Sequence, residues 1–240
     1  LTPAQVILNG SKTSYSSGGV FRGQLDGQEH VLSGISLEGL PNAYLIYSVS
    51  GANNGLNPSL PNTVAGGGAV RNLLIKDTVI STAKSMSANF CGIIGYVDQA
   101  RLENIRVRNS SVTGGGYLGI LVGQANRSSL EGCSATDSTL TDTEVGRPLY
   151  AGGLVGYGGS ATEIRSCYTY NVAMDISNTT VINCVGGLVG YYASSSIESC
   201  YTHGSIKTNG SFVGGINGSV TTGDATYIRR SWSYVDILQT

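Results

Sequence analysis

Charged residues are scarce in this chain, and the few that are present nearly cancel. Only 12% of the 240 residues are Asp, Glu, Lys or Arg, and the net charge is −1. A nucleic-acid partner requires a clustered basic surface, so this composition excludes one. No apolar run approaches the roughly 20 residues that a membrane helix needs, which excludes membrane insertion by such a helix.

Proline and cysteine are also rare, with 5 residues each. The cysteines are odd in number and form no Cys-x-x-Cys pair, so we expect no cofactor and no metal. Glycine, by contrast, reaches 35 residues, and Ser, Thr, Asn and Val are common. This composition is typical of short strands joined by tight turns. The chain begins Leu1-Thr2-Pro3 without Met, which predicts a piece excised from a longer product.

A glycine-rich apolar motif recurs along the chain. Its strongest copies are Ala151-Gly152-Gly153-Leu154-Val155-Gly156-Tyr157 and Val185-Gly186-Gly187-Leu188-Val189-Gly190-Tyr191. The final glycines of all the copies are Gly95, Gly123, Gly156, Gly190 and Gly218, a period of about 28–34 residues. Such a period indicates a repeat architecture, in which each unit packs only on its neighbours.

A second motif, Leu-x-x-Ile or a close variant, follows each copy of the first. Its copies begin at Leu32, Val70, Leu102, Leu130, Ile164, Ile197 and Ile228. A spacing of three between two apolar positions breaks the period of two that a flat strand requires. The third position is Gly, Asn or Ser in every copy except the last, which has Arg230. Because Gly and Asn tolerate a left-handed backbone, we predict a corner there.

These patterns predict an all-β fold, a right-handed parallel β-solenoid (β-helix) of six to seven coils with about 28–38 residues per coil. Right-handedness follows from the crossover rule for parallel strands. We expect one domain over residues 1–240. Residues 1–50 would form the first strands and first coil, 51–68 a long loop, and 69–240 the regular coils. Cys133, Cys167 and Cys200 share one inward position, where parallel side chains favour free thiols. Whether Cys91 and Cys184 pair stays open.

The alternation after the corner places aromatic side chains on the outer face of the last three coils. The predicted outward residues are Tyr168 and Tyr170, Tyr201 and His203, and Trp232 and Tyr234. Stacked about 4.8 Å apart, these rings would form a flat platform. One interpretation is a binding surface for a glycan or a protein. The other is that the rings stabilise the sheet or are covered by a loop or domain. The earlier outward residues, such as Leu74, Arg106 and Ser134, look ordinary.

The Gly-Gly-Leu-Val-Gly copies resemble the GLUG repeat, named for Gly-Leu-hydrophobic-Gly. The Ile-x-x-Cys-Tyr that follows, and the opening Phe-x-Gly-x-Leu-Asp-Gly-x-x-His, resemble the rest of that unit over residues 20–235. Such repeats occur in large secreted or surface-attached bacterial proteins. These include adhesins and the region upstream of the protease domain in immunoglobulin A-type zinc proteases. The resemblance implies an extracellular or cell-surface location.

No catalytic site is predicted in this chain, so we expect a catalytic domain, where there is one, elsewhere in a longer parent protein. The His-Glu-x-x-His of the zinc proteases is absent, and His30 has only Asp26 placed to orient it. The one close acidic set, Asp137, Asp142 and Glu144 with Arg147 nearby, lacks a known calcium-loop spacing.

The favoured function is a non-catalytic extracellular module for adhesion or a rigid stalk, whose partner would be a host or matrix glycan or protein. The alternatives are a filament or sheath subunit that self-associates end to end, and a carbohydrate-active enzyme on a β-helix.

Overall fold

The chain is built from short β-strands. The structure is a computed structural model, and it describes residues 20–40, 43–51, 68–82, 90–143, 149–178, 183–220 and 227–240. The predicted N-terminal strand and most of the 51–68 loop lie outside these residues. In chain order the first strands are β1 (Val20–Phe21), β2 (Gln24–Ser33), β3 (Ser36–Leu40), β4 (Ile46–Ser50), β5 (Ala69–Lys76), β6 (Val79–Thr82), β7 (Phe90–Cys91), β8 (Ile94–Asp98), β9 (Arg101–Arg108), β10 (Ser111–Gly114), β11 (Tyr117–Gly119), β12 (Val122–Asn126), β13 (Ser129–Glu131) and β14 (Ser134–Thr136). The remaining strands are β15 (Thr139–Asp142), β16 (Leu149–Gly152), β17 (Val155–Gly158), β18 (Glu163–Arg165), β19 (Tyr168–Ile176), β20 (Asn183–Gly186), β21 (Val189–Tyr192), β22 (Ser196–Glu198), β23 (Tyr201–Thr208), β24 (Phe212–Gly214), β25 (Asn217–Val220), β26 (Tyr227–Arg229) and β27 (Trp232–Gln239).

Strands pair in parallel with strands one turn away along the chain. One sheet has the order β1-β4-β8-β12-β17-β21-β25, and a second has the order β24-β20-β16-β11-β7. The third sheet has 15 strands and contains the strands on both sides of the predicted corner. The described residues contain no helix. The chain is therefore a parallel β-solenoid of about six turns, as the sequence predicts.

The predicted corner is present in every turn from the second onward. Its third-position residue has a positive φ in each copy, including Arg230 at 50°. The corner residues are Asn72, Asn104, Gly132, Ser166, Ser199 and Arg230. Turning the chain there points the apolar residues on both sides inward. Leu102 and Ile105, which flank Asn104, are both fully buried.

In the first turn, the prediction that the motif begins at Leu32 is wrong. Leu25 pairs with Val70, and Leu32 pairs instead with Ile75. The first corner contains additional residues, since the pairing shifts between Asp26 and His30. The first step is also longer than 38 residues, because Ile46 pairs with Ile94. The extra residues conceal the three-residue spacing on which the sequence prediction depends.

The core consists of matched apolar side chains stacked along the solenoid. Cys133, Cys167 and Cys200 are buried in one such stack, and the backbone amide of Cys133 lies 3.3 Å from the Sγ atom of Cys167. No disulfide joins any of the five cysteines, so Cys91 and Cys184 do not pair with each other. In the last turn the inward side chains are not covered by a further turn in the described residues. Ile237 pairs with the buried Ile206 but is 48% exposed, because no described strand packs against its outer side.

We expect a thiol reagent to label none of the five cysteines in the folded chain and all five after unfolding. The thiolate is the reactive form, and burial raises the pKa of the Cys167 thiol well above its ordinary value. The measurement is a mass shift after brief labelling, with and without denaturant. Rapid labelling of Cys167 or Cys200 in the native protein would mean that the inward register is wrong.

Candidate binding face on the last turns

A row of three aromatic rings runs along the outer face of β19, β23 and β27. Tyr168 pairs in register with Tyr201, and Tyr201 pairs with Trp232. The ring centroids of Tyr168 and Tyr201 are 4.8 Å apart with planes 4° apart. Those of Tyr201 and Trp232 are 4.9 Å apart at 9°. The spacing of the rings is the spacing of neighbouring strands, so the row follows directly from the register.

A second row lies beside the first and contains Tyr170, His203 and Tyr234. The centroid of His203 is 4.7 Å from that of Tyr170 and 5.6 Å from that of Tyr234. This row forms although the pairing shifts between Thr169 and Val172. The shift comes after Tyr170, where Asn171 turns the chain with a φ of 54°. The bulge therefore leaves the second row intact.

The rings of both rows overlap face to face, which differs from the predicted flat platform. Two rings lying side by side in one plane would collide at a separation of 4.8 Å, so nearly parallel rings at this distance are offset-stacked. Most ring faces are consequently covered by the next ring, and the rows present ring edges to solvent. We call this surface the aromatic ridge; it consists of Tyr168, Tyr170, Tyr201, His203, Trp232 and Tyr234.

The ridge is accessible and carries little charge. Tyr170 is 48% exposed, Trp232 is 58% exposed and Tyr234 is 67% exposed, whereas Tyr168 and Tyr201 are half-buried. Burial raises the pKa of Tyr201, so its hydroxyl stays neutral at physiological pH. In the described residues no loop covers these rings, so their outer edges can contact a partner.

The same two outward rows change character in the turns before the ridge. The first row reads Leu74, Arg106 and Ser134 before Tyr168, and the second reads Lys76, Arg108 and Thr136 before Tyr170. The small side chains of Ser134 and Thr136 therefore lie between the arginines of the preceding turn and the tyrosines of the next turn. The result is a groove of about 480 Å³ lined by Leu74, Arg106, Arg108, Ser134, Thr136, Asp137, Tyr168, Tyr170 and Tyr201.

Sequence reasoning identified the ridge residues but missed this groove. The outward residues Arg106, Ser134 and Tyr168 differ in length at matched positions of consecutive turns. With the register known, this difference in side-chain size predicts a groove. The sequence analysis treated these outward residues as ordinary and therefore did not predict it.

A second tyrosine cluster, which the sequence analysis did not identify, lies on the other two sheets. Tyr117 and Tyr157 have ring centroids 4.8 Å apart, and Tyr150 and Tyr191 have centroids 4.9 Å apart. All four are half-buried, and burial raises the pKa values of Tyr150 and Tyr157. The available signal was the tyrosine that follows the last glycine of the motif, as in Gly156-Tyr157 and Gly190-Tyr191.

The other chemical candidates do not assemble into one site. The Nδ1 atom of His30 lies 2.9 Å from the carbonyl oxygen of Gly27, and Asp26 bonds to Arg71 and Asn72 instead of orienting His30. A hydrogen bond from the backbone amide of Gln28, followed by one from Asn72, lowers the pKa of Asp26.

The two described members of the acidic set also have separate surroundings. Asp137 accepts a hydrogen bond from Asn171 at the surface, whereas Asp142 is fully buried and accepts hydrogen bonds from Asn178. Glu144 and Arg147 lie outside the described residues. No group of three or more potential metal ligands occurs in the part of the chain that the structure describes. That part also contains no helix that is long and apolar enough to span a membrane.

A family model describes part of this arrangement. The model for the GLUG motif matches residues 181–207. The matched segment supplies β20, β21, β22 and most of β23, which together make one turn of the solenoid. Tyr201 and His203 of the aromatic ridge therefore belong to the GLUG segment, and the GLUG resemblance noted in the sequence is confirmed here.

A solved structure is also matched, at low sequence identity. The crystal structure of a candidate immunoglobulin A1 protease from Bacteroides ovatus is 15% identical, with a TM-score of 0.48. The alignment covers 88% of this chain and 68% of that chain. No curated protein matches the sequence.

The glycines of the GLUG segment are required because backbones of neighbouring strands approach each other closely. A Cβ atom on Gly186 would lie 2.0 Å from the carbonyl oxygen of Val189 and 2.7 Å from the amide nitrogen of Gly218. Gly152, the matched glycine one turn earlier, has the same surroundings, with Val155 O at 2.0 Å and Gly190 N at 2.7 Å. The GLUG pattern is thus a packing requirement of the turn and leaves the outer face free to vary.

Proposed function

We propose that this chain is a non-catalytic extracellular β-solenoid module of a bacterial surface or secreted protein, which binds a glycan or protein partner through the aromatic ridge. The observation that carries the proposal is the pair of stacked, solvent-exposed ring rows on three consecutive turns. Contiguous exposed apolar surface on a soluble protein marks interaction sites. The GLUG segment and the secreted proteins that its repeat resembles support the extracellular location.

The support beneath the ridge suits a binding role. The ridge strands β19 and β23 have inward residues fixed in the core, for example Thr169, whose Oγ1 atom donates to the carbonyl oxygen of Gly187 at 3.1 Å. Neighbouring rings restrict each other further, because each stacks on at least one nearly parallel ring. A surface that is already ordered loses little conformational entropy when a partner binds. The continuous core would also make the module a stiff spacer between other domains.

Replacing both Tyr201 and Trp232 by Ala is expected to abolish binding while leaving folding nearly unchanged. Aromatic residues at the centre of an interface typically contribute at least about 2 kcal/mol each, so affinity should fall by more than about a hundredfold. The rings contribute little to the core, and we expect a stability loss of no more than about 1–2 kcal/mol. The measurement is binding to arrays of glycans and extracellular matrix proteins, together with a thermal melt.

The matched control is the double replacement of Phe212 and Tyr227 by Ala. These side chains are 49% and 50% exposed in strands β24 and β26, and neither lies on the ridge. The control should bind like the unmodified chain. Unchanged binding by the Tyr201 and Trp232 variant would exclude the ridge as the site. A collapse of its melting temperature would show that the rings have a structural role instead.

A further inference from the structure

We propose that the groove beside the ridge is a binding site for a neutral saccharide; this inference rests on the proposed binding function and adds a ligand class to it. The groove lies between two walls of different chemistry. One wall is formed by the ring faces of Tyr168 and Tyr170, and the other by the side chains of Arg106 and Arg108.

Both rows of rings end at the groove, so the faces of Tyr168 and Tyr170 on that side have no ring stacked on them. Within its row, Tyr168 is covered by Tyr201 on one side, but its neighbour on the other side is Ser134. Tyr170 is likewise covered by His203 on one side and has Thr136 on the other. Small side chains cannot cover an aromatic face. Tyr168 and Tyr170 therefore offer a flat apolar surface toward the groove. The C–H face of a sugar ring fits such a surface.

The polar wall combines hydrogen-bond donors with acceptors. The Nε atom of Arg108 lies 3.3 Å from an oxygen of Asp137, and Arg106 pairs with Glu29. Adjacent hydroxyl groups of a sugar each need a donor or an acceptor, and a guanidinium beside a carboxylate supplies both. Arg108 is 65% exposed and Asp137 is 38% exposed. An exposed ion pair of this kind is weak, so sugar hydroxyls can replace its hydrogen bonds at little cost.

The charge balance of the groove favours a neutral ligand over an acidic one. Each of the two arginines already has a carboxylate partner, so the pairs leave no net positive charge to attract a uronate or a sulfate. A bound acidic group would also face the carboxylate of Asp137 across the same groove.

The site can hold more than one sugar unit. A second depression of about 440 Å³ shares Arg108 and Asp137 and adds Lys76, Asp77 and Asn109. Its floor is fixed by a hydrogen bond of 2.7 Å from Asn109 to Asp77, and the matching bond from Asn171 to Asp137 is 3.0 Å. The two depressions together form a path across the turns that suits an oligosaccharide.

The test uses neutral hexose and pentose oligosaccharides, with oligogalacturonate as the acidic comparison, titrated by calorimetry into the full chain. Thr136→Tyr would add a fourth ring to the second row and fill the groove. Arg108→Ala would remove half of the donor and acceptor pair. We expect at least tenfold weaker binding from the first variant and several-fold weaker binding from the second. The control is Gln124→Tyr, which adds a ring between Tyr96 and Tyr157 on a different sheet and should bind normally.

The outcomes separate this inference from the proposed function. The inference is overturned if no neutral oligosaccharide binds at millimolar concentration, if oligogalacturonate binds more tightly, or if Thr136→Tyr binds like the unmodified chain. If array partners still bind and are lost with the Tyr201 and Trp232 double variant, the ridge function stands without the groove. Trp232 is a ridge residue that does not line the groove. If neutral sugars bind and are lost with Thr136→Tyr, while Trp232→Ala changes neither sugar binding nor array binding, the groove is a site and the ridge is not.

Discussion

Replacing Gly186 by Ala is expected to destabilise the chain by about 3 kcal/mol or more. The added Cβ atom would lie 2.0 Å from the carbonyl oxygen of Val189 and 2.7 Å from the amide nitrogen of Gly218. Both contacts are with backbone, so no side chain can rotate away and the strands themselves must move. The expected result is a large fall in the denaturation midpoint, or failure to fold. It is measured by circular dichroism in increasing guanidinium.

The control for this prediction is Gly23→Ala. Gly23 is exposed, and the nearest atoms to an added Cβ are ring carbons of Phe21 at 3.4 Å, which is an ordinary contact. Its stability should stay within about 0.5 kcal/mol of the unmodified chain. If both variants unfold at the unmodified midpoint, then the strands around Gly186 are not as close as the structure places them.

Replacing Leu154 by Ala is the second large effect, with an expected loss of about 2–5 kcal/mol. Leu154 is fully buried, and its carbonyl oxygen accepts hydrogen bonds from the amides of Leu121 and Val122 in the preceding turn. Shortening the side chain leaves a cavity between turns, and the hydrogen-bonded backbone cannot collapse to fill it. Equilibrium unfolding followed at two wavelengths would measure the loss.

Leu238→Ala is the matched control, because it removes the same atoms from a side chain that is 60% exposed. That variant should differ from the unmodified chain by no more than about 0.5 kcal/mol. Equal losses for the two leucines would contradict the assignment of Leu154 to the core.

The sequence predicted the corners and the inward register well because both depend on local rules. A spacing of three between inward positions, with Asn104 or Gly132 in the third place of the motif, requires a turn wherever it occurs. Even Arg230, which does not have the usual turn chemistry, adopts the same positive φ, because the register with the preceding turn fixes it. The failure at Leu32 has the same origin: extra residues between Asp26 and His30 remove the spacing that the rule needs.

The binding face was only partly predictable, because it depends on how neighbouring turns differ. The period of two along each strand identifies Tyr168 and Tyr201 as outward. The longer repeat places them on neighbouring strands. It does not show that their rings overlap face to face, which depends on side-chain rotation and on the 4.8 Å separation. The groove arises only when Arg106, Ser134 and Tyr168 are aligned on consecutive turns.

The fluorescence of Trp232 tests most directly whether partners bind on the aromatic ridge. It is the only tryptophan in the chain, it is 58% exposed, and it stacks on Tyr201. Titration with any array partner should shift its emission to shorter wavelength and saturate at the affinity found by calorimetry. Unchanged emission at a ligand concentration where calorimetry shows full binding would contradict the account, because the partner would then be bound away from the ridge.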